Sequence, residues 1–220
     1  MDIVLCKASR IFNCRFCIKE ILELLQIADR LLGPGGCPWD REQTLLTLQK
    51  YLLEETHELI EAIDRDDSGQ IVEEMGDVLF SLIFIGKLGE KANRFTFNDA
   101  VQCVCEKLIR RHPHIFAGVS VNGVDDIVQN WEAIKKKEKE RKTIFEGIPP
   151  TLPILARAQK MIEKLQRHKS SLAPIGSGQK VSEEEVARRL WELLGQAQSS
   201  GVDAESALRR YCQQIKNTGE

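Results

Sequence analysis

Two stretches of this sequence place carboxylates inside an apolar pattern that repeats every three or four residues, which is the period of an α-helix. In the first stretch the apolar positions are Leu45, Leu48, Leu52, Leu59 and Ala62. Glu55 stands between Leu52 and Leu59, where the pattern requires another apolar side chain. A carboxylate on the apolar face of a helix limits what that helix can pack against.

The second stretch carries its own pair of acids. Its apolar stripe consists of Ile71, Val78 and Ile85. Glu74 and Asp77 are three residues apart, as are Glu55 and Glu58 in the first stretch, and residues at this spacing share a helix face. Residues 64–69 between the stretches are polar and rich in turn formers, which predicts an antiparallel helix pair. Four half-buried acids should then converge.

Converging carboxylates repel one another, and burying an unpaired charge is costly unless the group binds a proton or a cation. Sites that offer only oxygen ligands suit Mg²⁺ or Mn²⁺ better than Zn²⁺. The alternative is that each acid belongs to the solvated face of an ordinary amphipathic helix. The paired arrangement inside the stripe favours a metal site.

The composition indicates a helix-rich globular protein, because 29% of the 220 residues are charged, 42% are hydrophobic and 6% are aromatic. A net charge of -2 gives no general attraction to nucleic acid or to a membrane surface. No apolar run reaches the roughly 20 residues that a membrane span needs. We therefore expect neither nucleic acid nor a membrane as a partner.

Seven scattered cysteines do not form a disulfide framework. Cys14 and Cys17 make one C-x-x-C motif, but no second pair follows at the spacing of a zinc site. Reduced thiols in a reducing compartment explain these cysteines, and we expect a cytoplasmic location.

The helical pattern and the breakers predict the order of elements along the chain. Helices are expected over 18–32, 44–63, 70–91, 98–111 with Asn98 as N-cap, from Asp125 or Asp126, over 154–168, after Ser182, and after Asp203. Residues 112–116 are expected to form a turn. Three prolines within 149–153 mark the clearest boundary.

Several side chains outside the acid pairs have two interpretations each. Trp39 lies in a Gly/Pro loop, where it either stacks on a base or plugs the end of the bundle. Lys107 and Arg111 are one helical turn apart, so they either grip phosphate oxygens or complement the helix dipole. Trp131 and Lys135 are also one turn apart, which points an aromatic plane and an ammonium the same way.

Taken together, these motifs resemble the MazG nucleoside triphosphate pyrophosphohydrolases over about residues 20–165. The matching segments, in order, are Gly36-Cys37-Pro38-Trp39-Asp40, the E-E-x-x-E of Glu54, Glu55 and Glu58, the E-x-x-D of Glu74 and Asp77, residues 107–116, and residues 130–135. The match is specific because it is ordered and has several parts. It implies an all-α bundle built on the acid-bearing antiparallel pair and usually completed by a second subunit.

The resemblance also implies Mg²⁺-dependent hydrolysis of nucleoside triphosphates to monophosphate and pyrophosphate, with Mn²⁺ as a possible substitute. By this resemblance, the residues that bind the metal are Glu55, Glu58, Glu74 and Asp77. Glu54 is a nearby catalytic helper, although spacing alone does not assign the general base. Its phosphate-binding bases fall on Lys107, Arg110 and Arg111. Its nucleotide contacts fall on Trp131 and Lys135, with Trp39 as a less certain addition.

The predicted domains are an N-terminal extension (1–17), a MazG-type domain (18–150) and a helical tail (151–220). The tail is similar to an eroded second domain of the family, because Arg188 stands three residues after Glu185, where the second acid belongs. The preceding E-E-x-x-E helix is replaced by a linker. Any activity is therefore expected from residues before about 150.

The sequence is also compatible with two other functions. A di-iron carboxylate bundle needs two Glu-x-x-His pairs, and Glu54 with His57 supplies one. No second pair occurs on the neighbouring helix. The other rival is a non-catalytic nucleotide-sensing or dimerisation module, which the eroded tail suggests.

Overall fold

The computed structural model describes residues 14–139, 143–174 and 180–218. The predicted N-terminal extension lies mostly outside these residues. The chain divides into two compact units, residues 1–120 and 121–220. The proline-rich stretch 147–153 lies inside the second unit, and the functional limits of the domains stay a prediction.

Every regular element in the described residues is an α-helix, which confirms the predicted all-α class. The first unit contains α1 (Cys14–Leu32), α2 (Pro38–Glu42), α3 (Leu48–Asp64), α4 (Ser68–Lys91), α5 (Phe97–Arg111) and α6 (Pro113–Phe116). The second unit contains α7 (Val124–Lys139), α8 (Ile154–Arg167), α9 (Glu183–Ser199) and α10 (Ala204–Thr218). None of the helices that the structure describes is long and apolar enough to cross a membrane.

Helices α3 and α4 pack along each other as the predicted pair, and only residues 65–67 separate them. Asp66 takes a left-handed backbone conformation with φ of 53°. The side chain of Asp67 then caps α4 by accepting hydrogen bonds from the backbone N–H groups of Gly69 and Gln70, at 3.0 and 3.2 Å. Because so short a connection favours antiparallel neighbours, α3 and α4 run antiparallel.

The core of the first unit lies at the end of this pair away from the turn. Leu48, Phe84 and Leu88 are buried together, and the rings of Phe80 and Phe84 lie 5.6 Å apart. Helix α1 packs on α4 there, where the Lys87 ammonium lies 2.7 Å from the Asp29 carboxylate. The other end of the pair is left open to solvent, and it carries the acids.

Two glycines allow α5 to approach α4 closely. A Cβ on Gly86 would lie 2.6 Å from the Cβ of Phe97, and a Cβ on Gly89 would lie 2.4 Å from the ring of Phe95. Such distances are far inside van der Waals contact. Both positions therefore need glycine for packing rather than for backbone freedom.

The predicted start of the second helix at Thr44 is wrong, because α3 begins at Leu48 and the short α2 precedes it. Thr44 and Thr47 bond each other instead: each backbone N–H donates to the other residue's hydroxyl, at 2.9 and 3.2 Å. Threonine hydroxyls compete with helical hydrogen bonds in this way, so the turn replaces the expected first helical turn.

Two other predicted details are also wrong. Thr96, rather than Asn98, is the N-cap of α5, because its side chain and that of Asp99 form a reciprocal capping box. Residues 113–116 form the short helix α6 rather than a simple turn, since Pro113 is well suited to a first helical position.

The second unit has its own core, built mainly from α8 and α10. Met161 and Leu165 of α8 are buried against Cys212 of α10, together with Phe145 and Ile154. Helix α9 has Ser182 as its N-cap, as predicted, and none of its residues is buried. The acid-bearing pair and the tail thus belong to separately packed units.

Candidate metal and nucleotide site

Three of the predicted acids converge at the open end of the α3–α4 pair. Glu55 and Glu58 project from α3, and Glu74 projects from α4. Each offers a carboxylate oxygen that lies within 4.8 Å of the other two. This is the one group of metal-ligating side chains that the described part of the chain brings together.

Asp77 lies close to these acids but outside the group of three. Its side chain is exposed, and so is that of Glu58, whereas Glu55 and Glu74 are half-buried. The expectation of four half-buried acids is therefore wrong. The negative charge of Asp77 nevertheless acts on Glu55 and Glu74.

Burial and the neighbouring carboxylates both affect the pKa of Glu55. Partial burial, followed by the negative charges of Asp77, Glu58, Glu74 and Glu54, raises the pKa of Glu55 above its ordinary value of 4.5. Glu54 is exposed beside Glu55 on α3. The charge of this predicted helper therefore acts on the site.

Partial burial and the charges of Glu58, Glu73 and Asp77 likewise raise the pKa of Glu74. A hydrogen bond between the carboxyl groups of Glu74 and Glu58 adds to this effect. Crowded carboxylates of this kind favour a bound proton or a cation among them.

The donor set fits a hard divalent cation. All the available ligand atoms are carboxylate oxygens, which Mg²⁺ and Mn²⁺ prefer. Closely placed acids with raised pKa values are stabilised when a cation displaces the proton.

The predicted phosphate-binding bases lie near the C-terminal end of α5. Arg111 is buried, Lys107 is half-buried and Arg110 is exposed. Helix α5 packs on α4 and contacts it at Gly86 and Phe97. Gly76 lies ten residues before Gly86 on α4, and Lys107 lies ten residues after Phe97 on α5. Because the two helices run antiparallel, Lys107 is expected opposite Gly76, between Glu74 and Asp77.

Trp39 projects from α2 with 53% of its surface exposed. Its ring meets the ring of Tyr51 edge to face, with centroids 5.4 Å apart and planes 67° apart. The sequence analysis missed Tyr51, which lies four residues before Glu55 and so on the same face of α3. That spacing was the signal that could have identified it.

Trp131 and Lys135 belong to α7 in the second unit, and both are half-buried. The ammonium of Lys135 lies 3.7 Å from the Glu132 carboxylate, which also accepts a hydrogen bond from Arg167 at 3.2 Å. Their predicted contact with nucleotide stays a prediction.

The comparisons with known proteins point to one family. Residues 43–116 match the MazG nucleotide pyrophosphohydrolase domain. The chain is 34% identical over 207 residues to the nucleoside triphosphate pyrophosphohydrolase/pyrophosphatase MazG of Thermotoga maritima, covering 86% of this chain and 79% of that protein.

Two other relatives are longer than the part that matches. A nucleoside triphosphate pyrophosphohydrolase of Escherichia coli is 42% identical over 148 residues, which cover 66% of this chain and 56% of that protein. The uncharacterized protein YabN of Bacillus subtilis is 42% identical over 144 residues, which cover 64% of this chain and 29% of that protein.

Proposed function

Because this chain belongs to the MazG family, we propose that it hydrolyses nucleoside triphosphates to nucleoside monophosphate and pyrophosphate, in nucleotide-pool control or house-cleaning. The observation that carries the proposal is the convergence of Glu55, Glu58 and Glu74 at the open end of the α3–α4 pair.

Glu55, Glu58 and Glu74 would hold Mg²⁺, or Mn²⁺ in its place, and Asp77 would complete the ligand set. Such an ion would supply positive charge to a bound triphosphate and would lower the pKa of a water molecule. The mutual repulsion of these carboxylates favours the binding of a cation among them.

Lys107, Arg110 and Arg111 would neutralise the charge that develops on the departing pyrophosphate. Their level along α5, opposite the acids of α4, supports this role. Arg111 is 8% exposed, so its charge acts with less screening by water than that of a surface arginine. Glu54 would take the proton of the attacking water at its exposed carboxylate, and Trp39, Trp131 and Lys135 would contact the nucleoside.

A homodimer is part of the proposal, because large apolar side chains are exposed around the acids. Ile60 and Ile63 of α3 and Val72 and Met75 of α4 are between 47% and 65% exposed. Apolar surface of this kind is typical of a site that another protein covers. We also propose a cytoplasmic location, which fits the free thiols of Cys37, Cys103, Cys105 and Cys212.

Pyrophosphate release tests the proposal. The whole protein is incubated with Mg²⁺ and each of the ordinary nucleoside triphosphates, and pyrophosphate and phosphate are measured separately. Glu55→Ala should abolish pyrophosphate release, whereas Glu23→Ala, which removes an exposed acid from α1, should not change it.

Two results would contradict the hydrolase. One is a wild-type rate in Glu55→Ala. The other is nucleotide binding without hydrolysis by the wild-type protein in Mg²⁺, which would favour the non-catalytic sensing module instead.

A further inference from the structure

Helix α7, which carries the predicted nucleotide contacts Trp131 and Lys135, belongs to the same compact unit as the tail. Residues 121–220 form that unit, and it also contains α8, α9 and α10. The sequence analysis expected any activity from residues before about 150. The tail residues that contact α7 are thus candidates for a part in nucleotide binding that the sequence did not predict.

The carboxylate of Glu132 on α7 is shared between two cations. Arg167 of α8 donates a hydrogen bond from Nη1 to Glu132 Oε1 at 3.2 Å. The Lys135 ammonium lies 3.7 Å from the same oxygen, which is an ion-pair distance but too long for a hydrogen bond. Arg167 therefore holds this carboxylate more closely than Lys135 does.

A second carboxylate fixes the direction of the Arg167 guanidinium. Its Nη2 pairs with Glu163, which lies four residues earlier on α8. A planar guanidinium that binds two carboxylates through separate nitrogens has little rotational freedom, whereas a lysine ammonium is a point charge on a flexible stem. The side chains of Arg167, Glu132 and Lys135 are between 28% and 37% exposed, so water screens their charges less than on an open surface.

Helix α8 also fixes the segment that follows α7. The Lys164 ammonium donates hydrogen bonds to the backbone carbonyls of Ile144 and Glu146, at 2.8 and 3.1 Å. Phe145, the residue between them, is buried in the core to which α8 contributes. Helix α8 thus contacts the chain both before and after the position of Lys135.

We propose that Arg167 is a positioning residue for nucleotide binding: by holding Glu132, it leaves the Lys135 ammonium able to bind a phosphate of the triphosphate. Without Arg167, the negative charge of Glu132 would draw the Lys135 ammonium into a hydrogen bond. A lysine that is paired so closely with a carboxylate attracts phosphate oxygens less strongly. This inference rests on the proposed hydrolase, in which Lys135 contacts the substrate, and it adds a residue beyond position 150.

The test compares the whole wild-type protein with Arg167→Met, Glu132→Gln and the double variant on the ordinary nucleoside triphosphates in Mg²⁺. Because a hydrogen bond to a charged group typically changes affinity by about tenfold or more, KM in Arg167→Met should rise about tenfold. The value of kcat should change little, since Lys135 would bind substrate and transition state alike. In the double variant KM should return to the wild-type value, because glutamine carries no charge to hold Lys135.

The variants of Glu132 separate positioning from a merely structural role. Glu132→Gln removes the ion pair between α7 and α8 as Arg167→Met does, yet it should not raise KM. If the ion pair served only to hold α7 on α8, both single variants and the double variant would raise KM alike, and this result would overturn the proposal. An unchanged KM in Arg167→Met would overturn it as well.

Lys160→Met is the matched control, because Lys160 is an exposed base of α8 that pairs with Glu163. Its loss removes one positive charge from the same helix and should leave KM unchanged. The melting temperature of each variant shows that it is folded.

A measurement without nucleotide keeps this inference apart from the hydrolase. Acetic anhydride acetylates lysine amines in their unprotonated form, and a closer carboxylate favours the protonated form. Labelling of Lys135 relative to the exposed Lys19, read by tandem mass spectrometry, should therefore fall in Arg167→Met and recover in the double variant. Equal labelling in all the proteins would overturn the positioning role even if pyrophosphate is released. The expected labelling without pyrophosphate release would support the positioning of Lys135 and refute the hydrolase alone.

Discussion

Helices α4 and α9 each carry a glutamate at the first position of the E-x-x-D pattern, but the residue three positions later differs and so does the pKa of the glutamate. In α4, Glu74 is followed three residues later by Asp77, and partial burial together with the surrounding carboxylates raises the pKa of Glu74. In α9, Glu185 is followed three residues later by Arg188, whose guanidinium donates to both carboxylate oxygens at 2.7 to 3.0 Å. Hydrogen bonds from Arg188 and Arg189 lower the pKa of Glu185.

The difference lies in what stands beside the glutamate, which is a carboxylate in α4 and a guanidinium in α9. Arg188 supplies the charge that a metal would bring, and Arg189 adds a second guanidinium at 2.6 Å. Helix α9 also has no buried residue, and among the described residues it contributes to no group of metal-ligating side chains. The tail thus retains part of the sequence pattern of the first unit without its group of convergent acids.

Asp77→Arg should have the largest effect on activity, because it gives α4 the glutamate–arginine pair that α9 has. The new guanidinium should bind Glu74 and compete with the divalent cation. Since removing even an outer partner of a metal ligand typically costs about 10- to 100-fold, pyrophosphate release should fall by more than about 100-fold. The reciprocal Arg188→Asp should leave turnover unchanged, because α9 has no second acid pair beside it.

Helices α4 and α9 also differ in how closely other residues pack against their glycines. A Cβ on Gly86 of α4 would collide with the backbone and Cβ of Phe97, whereas a Cβ on Gly195 of α9 meets nothing within 4 Å. Gly86→Ala should therefore lower the free energy of unfolding by about 1 to 3 kcal/mol through overpacking. Gly195→Ala should raise it by up to about 1 kcal/mol, because alanine is the better helix former. Urea denaturation measures both, and equal effects would refute the close α4–α5 contact.

Glu55→Gln should stabilise the metal-free protein. Because the folded state raises the pKa of Glu55 above 4.5, it holds this proton more tightly than the unfolded state does. Stability therefore falls as the pH rises from 4.5 through the raised pKa, and the substitution should flatten this decline. Thermal melts in a chelator across this pH range measure the effect.

Added Mg²⁺ should make the wild type more stable than Glu55→Gln, because only the wild type gains the full stabilisation from a bound cation. Glu23→Gln serves as the control and should follow the wild type in both conditions. A wild type that melts identically with and without Mg²⁺ at millimolar concentration would argue against the site.

Arg188→Ala should have the smallest effect, since its ion pairs are exposed to solvent. Glu185 has a lowered pKa in the folded state, so its pairing contributes stability above the ordinary value of 4.5 and loses it as the pH falls. The small difference in melting temperature between Arg188→Ala and wild type should vanish at low pH and in high salt. Pyrophosphate release should not change.

The acid pair and its antiparallel helices could be predicted from the sequence because both depend on local spacing. Glu55 interrupts an apolar stripe, and Glu58 and Glu74 follow at positions that a helical period brings together. The three carboxylates do converge in the structure. Arg188 could also be recognised in sequence, since it occupies the position of an expected acid.

Other features could not be predicted because they depend on which of two competing interactions prevails. Thr44 and Thr47 are compatible with a helix start or with a reciprocal turn, and in the structure hydrogen bonds join the turn through Gln43 to Trp39. Asp77 is exposed and lies outside the group of three acids, which helical spacing alone does not predict.

The most direct test of the central claim is a calorimetric titration of Mn²⁺ into the whole protein without nucleotide, comparing wild type with the double variant Glu55→Gln/Glu74→Gln. If the convergent acids of α3 and α4 hold the cation, the wild type binds Mn²⁺ and the double variant loses that binding. Equal affinity and stoichiometry in the two proteins would contradict the account.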